Sequence, residues 1–254
     1  MINEFMKEYE FFKFTPSVWI VPLILLSMIW GVFWIENFFH IDLAHHGIFP
    51  RSLSGLQGII FSPFLHGDLH HIVNNSIPLF ILTVALIYFY RNNSLKVIFY
   101  GIILSGFITW VIGRNSYHIG ASSLIYVLVS FIFFKGMMTQ YYRLMALSLT
   151  VVMIYGGMVW YIFPEVDKTI SWEGHLSGFI TGFIFATIYK TPNYVEDIQF
   201  EWEKPEFDIE SDPFMKRFDE NGNFVNPPKP EEIIGEENTI KINYNYKEFP
   251  KDWL

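Results

Sequence analysis

Six stretches of this chain contain no Lys, Arg, Asp or Glu: Val18–Ile35, Ile72–Tyr90, Val97–Gly113, Ile119–Phe134, Leu144–Pro164 and Gly174–Tyr189. A helix crossing about 30 Å of hydrocarbon needs roughly 20 residues, with about 17 as the lower end. Four of the runs reach that length, and the fourth and sixth are slightly short. Pro22 and Pro78 lie inside runs, where they would break a soluble helix but are tolerated in a membrane one. A soluble helical protein with a very apolar core is the competing reading. It fails because successive runs show no polar face. The pattern predicts an all-α integral membrane protein with six transmembrane helices.

Charge divides the chain. Only 17% of its residues are charged, against about a quarter in ordinary soluble domains. From Asn193 to Leu254 there are 16 acidic and 7 basic residues, whereas residues 1–192 are close to neutral. The formal charge of −8 therefore belongs to the tail. A nucleic-acid partner would require a clustered basic footprint, which is missing. The tail, with Pro205, Pro213, Pro227, Pro228 and Pro230, reads as acidic, soluble and largely irregular. Glu220–Asn223, flanked by Phe218 and Phe224, suggests a hairpin turn within it. The predicted domains are a membrane body, 1–192, and a tail, 193–254. Cysteine is absent, which excludes disulfides and thiolate chemistry. The first apolar run is long and lacks an A-x-A-like exit, so no cleavable signal peptide is expected.

Basic residues set the orientation. With the N-terminus inside, the inner segments hold Lys7, Lys13, Arg91, Lys96, Lys135, Arg143 and Lys190. The outer segments hold only Arg51, Arg114 and Lys168. Both termini are then cytoplasmic, and the plasma (inner) membrane is the expected location. The segment Phe38–Ile60 joins the first two helices outside. It is too apolar for a solvated loop and is expected to be partly embedded.

Polar residues in membrane helices are costly, so each is a functional hypothesis. The second run is preceded by His66-Gly67-Asp68-Leu69-His70-His71 and contains Asn74-Asn75 in its first turn. Gly120-Ala121-Ser122-Ser123 opens the fourth run, and Gly174-His175-Leu176-Ser177-Gly178 opens the sixth. These three helices all run from outside to inside, which puts the clusters at similar depth near the outer surface.

The residue types suit acyl transfer. A serine hydroxyl becomes a nucleophile when a base takes its proton, and His175 is the natural base for Ser122. A helix N-terminus at Ser122 favours a developing anion. The Asn75 amide, the His71 ring and the Ser122 backbone N–H are candidate oxyanion donors. No buried Asp is available for a triad, so a Ser122–His175 dyad is expected. Gly178 and Gly182 form a small-xxx-small face that would press the sixth helix against a neighbour, plausibly the fourth. Tyr126, four residues after Ser122, is placed to pack on the His175 ring.

These residues resemble the rhomboid family of intramembrane serine proteases over Phe14 to Lys190. The family's His-x4-His-x3-Asn pattern matches His66, His71 and Asn75. Its Gly-x-Ser motif matches Gly120, Ala121 and Ser122, and its His-x2-Gly-x3-Gly pattern matches His175, Gly178 and Gly182. The resemblance implies a rhomboid-like six-helix bundle with a partly embedded first outer loop. It implies Ser122 as nucleophile, His175 as base, His71 and Asn75 at the oxyanion hole, and Tyr126 packed on the base. It implies transmembrane protein substrates met within the lipid bilayer, and no cofactor. Ser123 departs from the family's usual glycine, and Pro50-Arg51 stands where some members carry Trp-Arg.

Each residue has a plainer reading. Ser122 alone would be a packing residue, and His175 alone a headgroup-level polar residue. His66, His70 and His71 with Asp68 suggest metal, but no His-Glu-x-x-His occurs and no metal is expected. His70 and His71 are adjacent and cannot both point inward. His66 is expected to bond the outer loop, His45 and His46 to face water, and Arg114 to bond loop carbonyls or lipid. An inactive rhomboid-like protein that binds membrane helices is the alternative function. A transporter is disfavoured by the absence of charge within the spans and of paired half-repeats.

Overall fold

A computed structural model describes residues 12–164, 166, 170–191, 207–208, 210 and 212–225. The chain divides into two compact units, Met1–Glu196 and Asp197–Leu254. The described residues of the first form six long helices: α1 (Ser17–Phe39), α2 (Leu69–Phe89), α3 (Arg91–Ile112), α4 (Ser122–Thr139), α5 (Tyr142–Tyr155) and α6 (Trp172–Ile188). Among the described residues, five segments are long and apolar enough to cross a membrane, the fifth being α5 together with its continuation to Ile162. The sixth helix has 17 residues.

Helix ends follow local chemistry. The Asp68 carboxylate accepts the His71 N–H at 2.8 Å and starts α2. The Ser171 hydroxyl accepts the Gly174 N–H at 3.2 Å and starts α6. α2 therefore begins three residues ahead of its charge-free run, which places His70 and His71 inside the helix. The fourth run extends beyond Phe134 to take in Lys135. That is possible because the buried Lys135 ammonium donates to the Ala186 carbonyl, 3.1 Å away in the last turn of α6. The fifth run is not all α-helix: after Tyr155 it tightens into a 3₁₀ segment, Gly156–Ile162. Glycines at 156 and 157 have low helix propensity and favour the change there.

α4 is the centre of the bundle. Leu124, Ile125, Val127, Leu128, Phe131 and Ile132 on it are all buried. Its span is 61% buried, against 11% for α5. The outer faces carry the opposite pattern from a soluble protein, with Phe99, Leu149, Met153 and Ile154 exposed. Two buried hydroxyls find backbone partners within the bundle: Ser130 donates to the Phe179 carbonyl at 2.7 Å, and Ser148 donates to the Leu144 carbonyl at 2.9 Å. α6 lies against α4 because Gly178 and Gly182 have no side chains. A Cβ at Gly178 would collide with the Ser123 carbonyl, and one at Gly182 would sit 2.7 Å from the Ser130 Cβ.

The first connecting loop is folded back on α3. The Arg51 guanidinium donates to the carbonyls of Val111 and Gly113 and to Asn115 Oδ1, at 2.7–3.1 Å. A cation thus closes the C-terminal end of α3. Trp110 Nε1 donates to the Ser52 carbonyl at 2.9 Å. Meanwhile Leu53, Ile60 and Phe61 stay exposed on the loop.

In the second unit, Phe218 and Phe224 form an antiparallel bridge across the turn that the sequence suggests. The Asp219 carboxylate accepts the backbone N–H groups of Asn221 and Asn223 at 2.9 and 2.8 Å. Most of the predicted tail, 193–254, lies outside the described residues.

Candidate active site

The N-terminal ends of α2, α4 and α6 meet. Ser122 is the first residue of α4 and is half-buried. His175 is buried in the first turns of α6. Its ring stacks on that of Tyr126, one turn after Ser122, at 4.3 Å and 15°. The Tyr126 hydroxyl donates to the Met158 carbonyl at 2.6 Å. Tyr126 is thus held by the 3₁₀ segment and in turn holds the imidazole flat.

His175 Nδ1 lies 3.0 Å from the Tyr161 carbonyl oxygen. A carbonyl only accepts, so Nδ1 carries the proton and Nε2 keeps its lone pair. The group occupying the place of a triad carboxylate is therefore a main-chain carbonyl on the 3₁₀ segment. Sequence motifs carry no signal for it, because any residue type can supply a carbonyl. No hydrogen bond joins Ser122 Oγ to His175 among the described residues.

His71 and Asn75 converge on Gly120. A Cβ there would lie 2.5 Å from His71 Nε2 and 3.6 Å from Asn75 Nδ2. Gly120 has φ +107, a backbone conformation that favours glycine. The missing side chain lets the His71 ring come close against the backbone just before Ser122, with Asn75 Nδ2 beside it. Asn75 is buried, and its Nδ2 has no protein partner. Leaving a buried donor unpaired is costly, so such a group calls for a functional explanation.

His66 departs from expectation. It is buried, but neither ring nitrogen bonds the outer loop. Its ring instead meets His71 at 4.9 Å and 63°, edge to face, and so supports the His71 ring. Its place on the turn into α2, five residues before His71, sets the ring against that of His71. Burial, with His71 adding to it, pushes the His66 pKa down to about 4. The Phe64 backbone offsets this in part without making a hydrogen bond of ordinary geometry. His70 turns outward and pairs with Asn74 at 3.2 Å. His45 is exposed.

The approach to Ser122 is fixed by backbone bonds to the first loop. Ile48 and His118 exchange both N–H···O bonds at 3.0 and 2.9 Å, and the Gly120 N–H donates to the Ser62 carbonyl at 2.8 Å. Buried His118 lies 2.5 Å from the Ser171 hydroxyl through Nδ1 and 3.1 Å from the Arg114 carbonyl through Nε2. Nε2–H donates to that carbonyl, so Nδ1 accepts from Ser171. The imidazole ties the α3–α4 loop to the cap of α6, and the backbone of the same residue ties both to the first loop. Burial lowers its pKa, against the raising influence of the Arg114 carbonyl. Beside it, buried Glu173 accepts the Arg114 N–H at 3.0 Å, and the Arg114 side chain donates to the Ile170 carbonyl at 2.7 Å. The expectation that Arg114 bonds loop carbonyls holds. His118, Ser171 and Glu173 were not singled out in the sequence because they belong to no motif there.

A rhomboid-domain family model matches residues 54–192, more than half the chain and the whole of this constellation. The chain belongs to the rhomboid family. Among its relatives, an uncharacterized protein of Mycobacterium tuberculosis is 30% identical over 178 residues, covering 67% of this rhomboid and 74% of the relative. An uncharacterized Mycobacterium leprae protein is 29% identical, covering 67% and 70% respectively. Within this rhomboid, Ser122, His175, Tyr126, His71, Asn75 and Gly120 lie around one junction of three helix ends, and Gly178 and Gly182 follow lower on α6 against α4.

Proposed function

We propose that this rhomboid is an intramembrane serine endopeptidase that cleaves transmembrane or juxtamembrane segments of other membrane proteins. The observation that carries the reading is the state of His175: stacked on Tyr126, one turn after Ser122 on α4, with Nδ1–H on the Tyr161 carbonyl and the Nε2 lone pair left to act as base.

Ser122 Oγ attacks the scissile carbonyl carbon while its proton passes to His175 Nε2. The Tyr161 carbonyl keeps Nδ1–H and so steadies the imidazolium. The oxyanion accepts hydrogen bonds from Asn75 Nδ2, from His71 and from the Ser122 N–H. As the tetrahedral intermediate collapses, the C–N bond breaks and the His175 proton goes to the leaving amine, which leaves an acyl-Ser122 ester. His175 then takes a proton from water. The resulting attack releases the new carboxylate and returns the proton to Ser122. The apolar flanks of the helices and the exposed Leu53, Ile60 and Phe61 fit a protein embedded in a bilayer, with the first loop at its surface. The distribution of basic residues supports a plasma (inner) membrane protein with both termini cytoplasmic.

The test incubates wild type, Ser122→Ala and His175→Ala with a panel of single-span substrates in liposomes. Cleavage by wild type alone supports the dyad, and cleavage by all three sinks it. The missing Ser122–His175 hydrogen bond, with Ser123 in the usual glycine position, favours a second reading as an inactive binder of membrane helices. Labelling of Ser122 by a fluorophosphonate, abolished in His175→Ala, would exclude that reading.

A further inference from the structure

α3 and α6 leave a groove between them on the side of the bundle. It has a volume of about 460 Å³ and is lined by Tyr100, Ile103, Leu104, Phe107, Phe185 and Tyr189. That volume falls within the roughly 300–1,000 Å³ of ordinary ligand sites. Along α3 the lining runs from Tyr100 to Phe107, about 10 Å at 1.5 Å per residue. The residues are aliphatic or aromatic, and Phe107 and Tyr100 are exposed. The groove is therefore open, elongated and apolar.

Its Tyr100–Tyr189 end is flanked by positive charge. Lys96 lies one helical turn before Tyr100, on the same face of α3. Lys190 follows Tyr189 directly, and the Asn93 amide holds its carbonyl at 2.8 Å, which fixes the chain at this point. Both lysines are exposed. The other lysine at this level, Lys135, is turned inward and engaged by Ala186.

We infer that the α3–α6 groove is a binding site for an anionic glycerophospholipid, with an acyl chain along Ile103 and Phe107 and the phosphate headgroup on Lys96 and Lys190. An apolar slot alone would accept any lipid chain. The paired lysines at one end select the charge, and the two tyrosines present amphipathic rings where chain gives way to headgroup. The site is separate from Ser122 and does not depend on its chemistry.

The purified full chain in neutral detergent is offered phosphatidylglycerol or phosphatidylcholine of identical acyl composition, and retained lipid is read by native mass spectrometry. Wild type is expected to retain phosphatidylglycerol roughly ten- to thirty-fold better, on the order of what two lysines supply near a headgroup. Lys96→Gln with Lys190→Gln is expected to lose the preference while keeping its thermal midpoint in lipid-free detergent, since both side chains are exposed. Ile103→Trp, which fills the slot, is expected to weaken retention of both lipids. Equal retention of the two lipids by wild type, or an undiminished preference in the double variant, overturns the proposal. So does competition by inorganic phosphate that matches the lipid, because the groove would then contribute nothing.

Discussion

The rings of Tyr126 and His175 lie face to face at 4.3 Å, and each is tied to the same 3₁₀ segment through a main-chain carbonyl: Met158 for the phenol, Tyr161 for the imidazole. The imidazole is therefore oriented by one ring and two backbone oxygens rather than by a carboxylate. An aromatic pair of this kind is worth about 0.5–1.5 kcal/mol beyond the area it buries.

Tyr126→Phe keeps the stack and removes the bond to Met158. Its kcat is expected to fall by less than about tenfold, whereas Tyr126→Ala is expected to fall by tenfold or more, with KM nearly unchanged. Steady-state cleavage of one substrate by the three proteins decides the matter. Equal activity in all three would remove Tyr126 from the mechanism.

Asn75 offers a test in which activity and stability separate. On the proposed mechanism Asn75→Ala removes an oxyanion donor and should lower kcat by about 10²–10³. It also removes a buried amide nitrogen that has no protein partner, so the thermal midpoint should not fall as it does for an ordinary core truncation. A large loss of midpoint would mean that the amide is structural.

Gly178 sets the distance between α4 and α6. Gly178→Ala places a methyl group against the Ser123 carbonyl and 2.8 Å from the Tyr126 Cβ. Overpacking of this kind costs about 1–3 kcal/mol. Thermal unfolding in detergent should show a lower midpoint and, because Tyr126 is displaced, lower activity. Gly31→Ala is the control: a Cβ there meets nothing within 4 Å, and replacing a helical glycine should be neutral or stabilising.

Acid should destabilise the fold through its buried neutral histidines. The His66 pKa is about 4 in the folded protein, below its ordinary value of 6.5. A depressed pKa means that the folded state resists protonation. The stability contribution is thus complete above pH 6.5 and is lost as pH falls from 6.5 towards 4, reaching about 3 kcal/mol at the lower end. His118, also lowered by burial, acts in the same direction. Thermal midpoints between pH 8 and 4.5 should drop below pH 6.5 in wild type and drop less in His66→Leu. Parallel curves would show that another group governs acid sensitivity.

Much of the candidate site was legible in the chain. Ser122, His175, His71, Asn75 and Gly120 stand at the starts of alternate apolar runs, and helices of alternating direction bring those starts to one end of a bundle. The packing of Gly178 on α4 and of Tyr126 on His175 also follows from spacing on a helix. His66 was misread because its partner depended on the angle at which the loop enters α2, and side-chain spacing does not encode that angle.

The sequence by itself determined the helices, their order and the residue types available for chemistry, because charge-free runs and short motifs are local properties. Only the tertiary structure decided that the Tyr161 carbonyl of the 3₁₀ segment holds the imidazole of His175 and that His118 joins three loops. The physical reason is the kind of contact involved. A main-chain carbonyl is common to every residue, and a hydrogen bond such as His118–Ser171 spans 53 positions. Neither leaves a periodic or compositional trace, so both arise only when packing brings distant backbone and side chains within 3 Å or so of each other.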